Sequence, residues 1–529
     1  MKRLVNRDMM QEIDSVTMEE IGIPSMVLME RAALKVYEHI VKLTKPDTNV
    51  LVVCGIGNNG GDGVAVARML HMIGISVDLL IVDSIDKGTK QMQEQVTIAK
   101  NLSVPIIEEA TYNNYSIIVD AIFGVGLKRE ITGRYQEIIS EINQSNAFII
   151  AIDLPSGVNA DDGTIMNIAV RANLTVTFGY EKIGLIRYPG ADYAGEVIVE
   201  DVGFPQVAFQ KVMERHEDWV ECFTYTREDL KRLPKRPKQS HKGTFGTVLV
   251  VAGSKGMSGA CFFAAKAALR IGTGLVKILT VAENRQIIQT ALPEAVVLTY
   301  DEESLEHKES ITSYIDTIRD ADAIILGPGL GKSLLSQNIM KFVLQYAQAP
   351  IVLDADGINI LADWITHSLS SDVLDQDSDE YVQRRMECAE KLLHNNVILT
   401  PHLKEFSRLL HVDIEKINEM VIDTSQICSY NKLLNYIIKD AVTTVISGKR
   451  MYLNTSGNDG LATGGSGDVL SGIIGGLIAQ GLDTFEAACL GVYIHGLTAE
   501  YYSENKFSGS MLASDIIEQI GTVLSSRLL

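Results

Sequence analysis

The sequence predicts an α/β protein built as two three-layer α/β/α domains, and three observations carry that expectation. The chain has 529 residues, too many for one hydrophobic core. Short apolar runs of strand length recur along it, each ending in a polar or glycine-rich turn that leads into a helical pattern, as in parallel sheets with crossover helices. A basic, proline-bearing stretch from Arg227 to Lys242 interrupts that rhythm and reads as a linker, or as a strap on an acidic body. The expected domains are residues 1–225 and 226–529.

Bulk properties exclude several function classes. Hydrophobic residues make up 46% and charged residues 22%, the balance of an ordinary globular protein. No apolar run reaches the length of a membrane span, and the start of the chain breaks into charges too early for a signal peptide. No membrane partner and a cytoplasmic location are expected. The net charge of −20 argues against a nucleic-acid partner and requires any anionic ligand to be held by local N–H groups or a cation. The basic stretch lacks interleaved aromatics, although His241 or Lys242 could contact a phosphate. The 6 cysteines are scattered without Cys-x-x-Cys or a histidine cluster, which suits reduced thiols rather than a zinc site. A homo-oligomer is the expected assembly.

From Thr17 to Val41 the apolar spacing predicts two helical segments broken at Pro24. Val50 to Cys54 reads as a buried strand, followed by the turn Gly55-Ile56-Gly57-Asn58-Asn59-Gly60-Gly61-Asp62-Gly63 and a helix through Leu70. Gly55, Gly57 and Gly60 satisfy Gly-x-Gly-x-x-Gly, with Asp78 or Asp83 available as a ribose acid, so a Rossmann-like domain is expected. Asn58, Asn59 and Asp62 add polar ligands that a plain dinucleotide turn does not need. Two more strand ends, Ile117 to Asp120 and Phe148 to Asp153, bring Asp120, Asp153 and Ser156 to the same carboxyl edge. Either aspartate alone could simply cap a helix. Three such edges together favour a site, and its oxygen donors suit a hard cation.

These segments resemble the NAD(P)H-hydrate epimerases through their Asn-Asn-Gly-Gly-Asp, Asp-Ala-Ile-Phe-Gly and Asp-x-Pro-Ser-Gly loops and through Thr177 to Leu185. The resemblance implies a potassium ion held by Asn59, Asp120 and Ser156. It implies a hydrated nicotinamide nucleotide held by Asn58, Asn59, Gly60, Gly61 and Asp62, by Gly124, Val125, Gly126, Leu127, Lys128, Arg129 and Glu130, and by Asp153. Inverting the hydroxyl-bearing carbon needs proton movement by a nearby acid or base. Asp153 is the candidate, with Lys128 either stabilising charge or merely solvated at the surface.

In the second half, Thr247 to Ala252 reads as a strand, Gly253 to Ala260 as a small-residue loop, and Cys261 to Ile271 as a sandwiched apolar helix. Further strand ends lead into Gly327-Pro328-Gly329-Leu330-Gly331, Asp354-Ala355-Asp356-Gly357 and Thr400-Pro401-His402. His402 is expected on the same edge as Asp468. The acidic, serine-rich segment from Trp364 to Glu387 reads as a surface insertion without chemistry.

The stretch Gly464-Gly465-Ser466-Gly467-Asp468 opens an apolar helix, so its backbone N–H groups and the helix dipole suit a phosphate or an oxyanion. Asp468 reads either as a helix-start carboxylate or as a general base. The string Asn458 to Leu470 resembles the ADP/ATP-dependent NAD(P)H-hydrate dehydratases of the ribokinase-like superfamily. That resemblance implies hydrated-nucleotide contacts at Ala260, Gly329, His402 and Asp468. It also implies adenine-nucleotide contacts at Gly464, Gly465 and Gly467 and at Ser447, Gly448, Lys449, Arg450 and Met451. The last loop departs from the family's Lys-Gly pair. The implied chemistry is proton removal by Asp468 as a phosphoryl group transfers from ADP, or ATP, with Mg2+ bridging the phosphates. The fused architecture suggests a bacterial or archaeal source and hence ADP. The alternative is a ribokinase-like small-molecule kinase carrying a non-catalytic N-terminal binding domain.

Overall fold

The computed structural model describes residues 1–305, 307–370, 378–393, 396–422 and 434–526. It divides into two compact units, Lys2–Trp219 and Val220–Leu529 together with Met1.

In the first unit, seven strands form one sheet in the order Ile106–Ile107, Ser76–Ile81, Asn49–Cys54, Ile117–Ala121, Phe148–Ile152, Leu174–Phe178, Glu196–Glu200, every pair parallel. The period-2 alternation of the strands sorts the core into two faces. Val50, Val52, Val119 and Ile150 pack against the helices Ser25–Leu43, Asn58–Met72 and Lys90–Asn101. Leu51, Val53, Ile118 and Ile149 pack against Ile138, Ile139 and Ile142 of the helix Arg134–Gln144. Asn49–Cys54 lies between Ser76–Ile81 and Ile117–Ala121, so the strand order reverses there and a crevice opens beyond its carboxyl end. Pro24 stands at the N-cap of Ser25–Leu43, where its missing N–H costs nothing. The helix expected from Thr17 instead begins at Arg7, capped by the Asn6 side chain, and ends in a π-helical turn over Val16–Glu20.

The strands of the second unit run in the order Val296–Tyr300, Leu275–Val281, Thr247–Val251, Ala323–Leu326, Ile351–Leu353, Val397–Leu399, Asn435–Ile438, Thr444–Ser447, Arg450–Leu453, Glu221–Thr224. The ladder is parallel except where Thr444–Ser447 runs antiparallel to both neighbours. Here the reversal falls at Thr247–Val251. One face of this sheet, Val248, Val250, Ile325, Val352, Ile398 and Ile437, packs with the helices Ser258–Ile271, Ser466–Ala479, Thr484–Ser503 and Ala513–Ser526. The helix Ser466–Ala479 is buried nearly all round, as its unbroken apolar sequence requires. It lies close enough to Ser258–Ile271 that a Cβ on Gly472 would stand 2.3 Å from the Ala264 carbonyl oxygen.

The stretch from Arg227 to Lys242 is a strap on the second unit. Its turn Arg227–Arg232 carries a Thr226–Asp229 capping box, Leu230 and Leu233 enter the core, and Arg236 lies 3.6 Å over the Phe245 ring. The surface insertion expected from Trp364 to Glu387 is corrected over most of its length. The helices Asp356–Ser368 and Asp379–Leu393 occupy it, and residues 371–377 lie outside the described residues. The second helix buries Arg385 completely, with Nε donating to the Leu409 carbonyl at 2.7 Å and Nη2 to that of Arg408 at 3.2 Å. The described cysteines are free thiols, Cys428 lies outside them, and no described helix is long and apolar enough to cross a membrane.

Two glycines test the helix packing in opposite directions. Gly472→Ala is expected to destabilise the protein by about 1–3 kcal/mol through overpacking. Gly521→Ala, in a helix with nothing within 4 Å of the new Cβ, is expected to stabilise it by up to about 1 kcal/mol. Urea denaturation of the two variants measures both.

Candidate active sites

A cavity of about 690 Å³ opens at the crevice of the first unit. Its wall takes Asn58, Asn59 and Asp62 from the first helix turn after Asn49–Cys54, Gly124 to Arg129 from the loop after Ile117–Ala121, and Asp153 from the end of Phe148–Ile152. Lys128 and Arg129 lie on the exposed rim, and Glu130, also exposed, is not part of the wall. Gly60 and Gly61 lie beneath it. A Cβ on Gly60 would stand 1.9 Å from the Gly55 oxygen, so this glycine lets the helix start against the turn.

Asp153 adopts φ +67, a left-handed conformation that aspartate tolerates and that often marks functional positions. Its Oδ1 accepts from Lys182 Nζ at 2.5 Å and Thr177 Oγ1 at 3.1 Å, and its Oδ2 from the Val125 N–H at 3.4 Å. The cation at Asp153 is Lys182, while Lys128, expected either to stabilise charge or to be solvated, stands exposed on the rim. The stretch Thr177 to Leu185 gives Lys182 no role by sequence alone. Its signal is a lone lysine inside the apolar run that continues through Ile183 and Leu185, and its ammonium is buried. Asp14, also absent from the sequence reading, joins the wall from the helix Arg7–Ser15. Burial, then the Asp153 charge, push its carboxyl up to about 6.

Behind the wall, Asp120 is fully buried. It accepts from the Ser156 N–H at 2.7 Å, the Ser156 hydroxyl at 2.6 Å and the Ile122 N–H at 3.2 Å. Burial pushes it up to about 6 against those hydrogen bonds. The Ser156 Oγ also lies 3.2 Å from the Phe123 carbonyl oxygen, and the buried Asn59 amide nitrogen has no acceptor. These oxygens, with a buried carboxylate that has no cationic partner among the described residues, fit a monovalent cation. No group of three or more His, Cys, Asp or Glu side chains suited to a transition metal occurs among the described residues.

The second site forms where the helix Ser466–Ala479 begins. Gly465 at φ +89 turns the chain into the helix, Gly464 is open to solvent, and Asp468 stands in the first turn. Beneath lies a pair that the sequence reading left unassigned. Asp354, fully buried at the end of Ile351–Leu353, accepts from Lys439 Nζ at 2.9 Å, Thr400 Oγ1 at 2.7 Å and Ser471 Oγ at 2.7 Å. Burial raises the Asp354 carboxyl, but Lys439 and the two hydroxyls overcome that and hold it below the usual carboxylate range. Burial likewise works against the Lys439 ammonium, and Asp354, Glu405 and Asp468 raise it instead. Asp468 is pushed up to about 7, first by burial and then by the Asp354 charge, with Lys439 pulling the other way. A Cβ on Gly467 would stand 3.4 Å from Lys439 Nζ, so the ammonium reinforces the amide cradle from below. Lys439 closes the strand Asn435–Ile438 just as Asp153 and Asp354 close theirs, a signal that the sequence carried.

Gly329 and Ala260 meet beside the cradle, where a Cβ on Gly329 would stand 2.9 Å from that of Ala260. His402, half-exposed, caps the helix Leu403–Leu410 and bridges to Lys439, on the edge expected for it. The loop Ser447 to Met451 is corrected. Ile438 pairs with Thr444 and Tyr436 with Ile446, so the hairpin turn Gly448-Lys449 points to the amino edge of the sheet, opposite Asp468. Arg450 there stacks 4.2 Å from the Phe485 ring. The segment that reaches the cradle is the one following Asn435–Ile438, which begins at Lys439.

The family model described as NAD(P)H-hydrate dehydratase matches residues 248–522, and that of the YjeF-related protein N-terminus matches residues 25–184. A bifunctional NAD(P)H-hydrate repair enzyme Nnr from Coxiella burnetii is 33% identical over 97% of this chain and 98% of its own. One of the same name from Thermofilum pendens is 32% identical, over 93% and 91%. Among solved structures, the ADP/ATP-dependent NAD(P)H-hydrate dehydratase from Bacillus subtilis co-crystallized with ATP/Mg2+ is 28% identical. It covers 57% of this chain and 98% of that one at a TM-score of 0.44.

Removing the ammonium isolates a buried carboxylate, so Lys439→Met is expected to cost about 3–5 kcal/mol near neutral pH. The folded Asp354 is held low, so its pair contributes stability above the unfolded aspartate range and loses it as pH falls through the folded value. The deficit of the variant in urea denaturation should therefore shrink toward acid pH.

Proposed function

Because the chain belongs to the family of bifunctional NAD(P)H-hydrate repair enzymes, we propose how its residues share the repair. The protein interconverts the R and S epimers of hydrated NADH or NADPH and returns the S epimer to the reduced nucleotide in a reaction driven by ADP or ATP.

Epimerisation belongs to the cavity of the first unit. Asp153, held in place by Lys182 and Thr177, moves the proton of the oxygen that leaves and returns at the hydroxyl-bearing carbon. The loop Gly124 to Arg129, with Lys128 and Arg129 at the rim, takes the phosphates. The oxygens of Asn59, Asp120 and Ser156 would hold potassium, which when bound would supply a fixed positive charge behind the wall. Asp120 and Ser156 order the loop from below by binding the Ile122 and Phe123 N–H groups.

Water removal belongs to the cradle of the second unit. Asp468 takes the proton of the 6-hydroxyl as that oxygen bonds the terminal phosphorus of the nucleotide, whose bridging phosphorus–oxygen bond breaks to release AMP from ADP, or ADP from ATP. The N–H groups of Gly464, Gly465 and Gly467, with Lys439 beneath, hold the transferring group. The ester then leaves as inorganic phosphate on the electron pair of the ring nitrogen, and loss of the neighbouring carbon's proton restores the reduced ring. Ala260, Gly329 and His402 line the approach of the hydrated nucleotide. With Asp354 already engaged by Lys439, magnesium fits as a companion of the nucleotide phosphates and supplies charge neutralisation there. The observation that carries this reading is a carboxyl tuned to about 7 in the first turn of a helix whose amide mouth is open. Free thiols and nucleotide substrates suit a cytoplasmic enzyme without membrane or nucleic-acid partners.

Incubation with both hydrate epimers, with and without ADP and magnesium, tests the division of labour by chromatography. Asp468→Asn is expected to keep epimer exchange and lose water removal by about a hundredfold or more. Asp153→Asn is expected to remove water from the S epimer while the R epimer accumulates. A stable phosphorylated product that never regains the absorbance of reduced nicotinamide would instead identify a small-molecule kinase.

A further inference from the structure

The cavity of the first unit holds more acid–base chemistry than one proton carrier explains. The carboxylates Asp14, Asp62 and Asp153 and the ammonium of Lys182 all border it. An ammonium has three N–H donors. Those of Lys182 meet Asp153 Oδ1 at 2.5 Å, Thr177 Oγ1 at 2.9 Å and the Phe178 carbonyl oxygen at 3.1 Å. Lys182 is thereby saturated and locked on Asp153, with no N–H left free to reach a substrate. The Asp153 carboxyl oxygens accept from Lys182, Thr177 and the Val125 N–H. Loss and return of a hydroxyl group on one carbon needs an acid for the departing oxygen as well as a base for the arriving one.

Of the carboxyl groups on the wall, Asp14 and Asp62 are the two besides Asp153 that can carry that proton. Burial holds the Asp62 carboxyl well above the usual range, reinforced by the charges of Asp153, Asp14 and Glu30, so it gives its proton up reluctantly. Asp14 stands on a different element from Asp153, on the helix Arg7–Ser15 beside Met10 and Gln11, and no donor among the described residues binds its carboxyl. Burial and the Asp153 charge raise it to about 6, and Lys182 draws it down. A carboxyl in that range gives up and recovers a proton near neutral pH, the property that a general acid requires.

We propose that Asp14 is the second catalytic residue of the epimerase site, the acid that protonates the departing hydroxyl of the hydrated nicotinamide. The inference rests on the epimerase reading of this cavity. In the step, the Asp14 proton passes to the hydroxyl oxygen, the carbon–oxygen bond breaks and water leaves, while the ring-nitrogen lone pair forms a carbon–nitrogen double bond. A second water adds to the opposite ring face, its oxygen bonding the same carbon as its proton passes to Asp153 and the π pair returns to nitrogen. One water leaves and one enters, and the two carboxyl groups exchange roles for the reverse direction.

The test uses the full-length protein without nucleotide, each hydrate epimer separately, and H2(18)O as solvent, followed by chromatography and mass spectrometry. The intact enzyme should place one solvent oxygen on the carbon at each inversion. Asp14→Asn should lower kcat for inversion roughly a hundredfold or more while KM stays within a few-fold, and Asp14→Glu should recover part of the loss. Addition of ADP and magnesium to the same preparation reports whether the second unit remains folded and active. The proposal is overturned by an Asp14→Asn protein that inverts at the parental rate, by a loss carried mainly in KM together with a lowered melting temperature, or by inversion without solvent oxygen. An Asp153→Asn protein that still inverts would instead sink the epimerase reading of the cavity. Silence of Asp153→Asn beside full activity of Asp14→Asn sinks the Asp14 assignment alone.

Discussion

A lysine pinned on a buried aspartate at the carboxyl end of a parallel strand is the constraint around which each unit of this protein is built. In the second unit Lys439 Nζ lies 2.9 Å from Asp354, and in the first Lys182 lies 2.5 Å from Asp153. Burying such pairs costs desolvation that their attraction barely repays, so stability alone does not account for them. Their value lies in what they do to a neighbour. The Asp354 charge pushes Asp468 up while Lys439 pulls it down, which leaves a half-buried carboxyl poised near neutrality. The Asp153 charge does the same for Asp14 in the first unit.

The fold delivers those neighbours by a simple device. Each sheet reverses its strand order, at Asn49–Cys54 and at Thr247–Val251, and the loops on either side of that reversal part to leave a crevice. Polar side chains at successive strand ends then converge on it without any long-range design. In the second unit a glycine-led helix supplies the amide cradle. The close approach of that helix to Ser258–Ile271 is possible because Gly472 has no side chain, and it fixes where the cradle sits.

Much of this was legible in the sequence, for definable reasons. Strand-length apolar runs ending in Asp120, Asp153 and Asp354 announced parallel sheets, and the run Gly464 to Asp468 announced a helix mouth, because period and turn chemistry are local properties. The partners of those aspartates are not local. Lys182 is 29 positions from Asp153 and Lys439 is 85 from Asp354, separations that only the sheet order closes. Asp14 was hidden because one acid on an amphipathic helix looks solvated until the wall it joins is known. The loop Ser447 to Met451 was misplaced because a charged turn next to a glycine does not reveal at which end of a sheet it falls, and the antiparallel hairpin carried it to the far edge. The segment Trp364 to Glu387 reads as surface because it is acidic and serine-rich, and its charges hide the buried Arg385, whose partners are carbonyl oxygens brought up by other elements.

The account stands on Asp468 being a base whose ionisation is set by the Asp354–Lys439 pair. The direct measurement is the pH dependence of kcat/KM for water removal from the S hydrate, in the intact protein and in Lys439→Met. Asp468 must be ionised to accept the proton, so the rate should fall as pH drops through about 7 in the intact protein. That limb should move to higher pH when the ammonium is removed. A limb near the ordinary aspartate range of about 4, or one that stays in place in the variant, would contradict it.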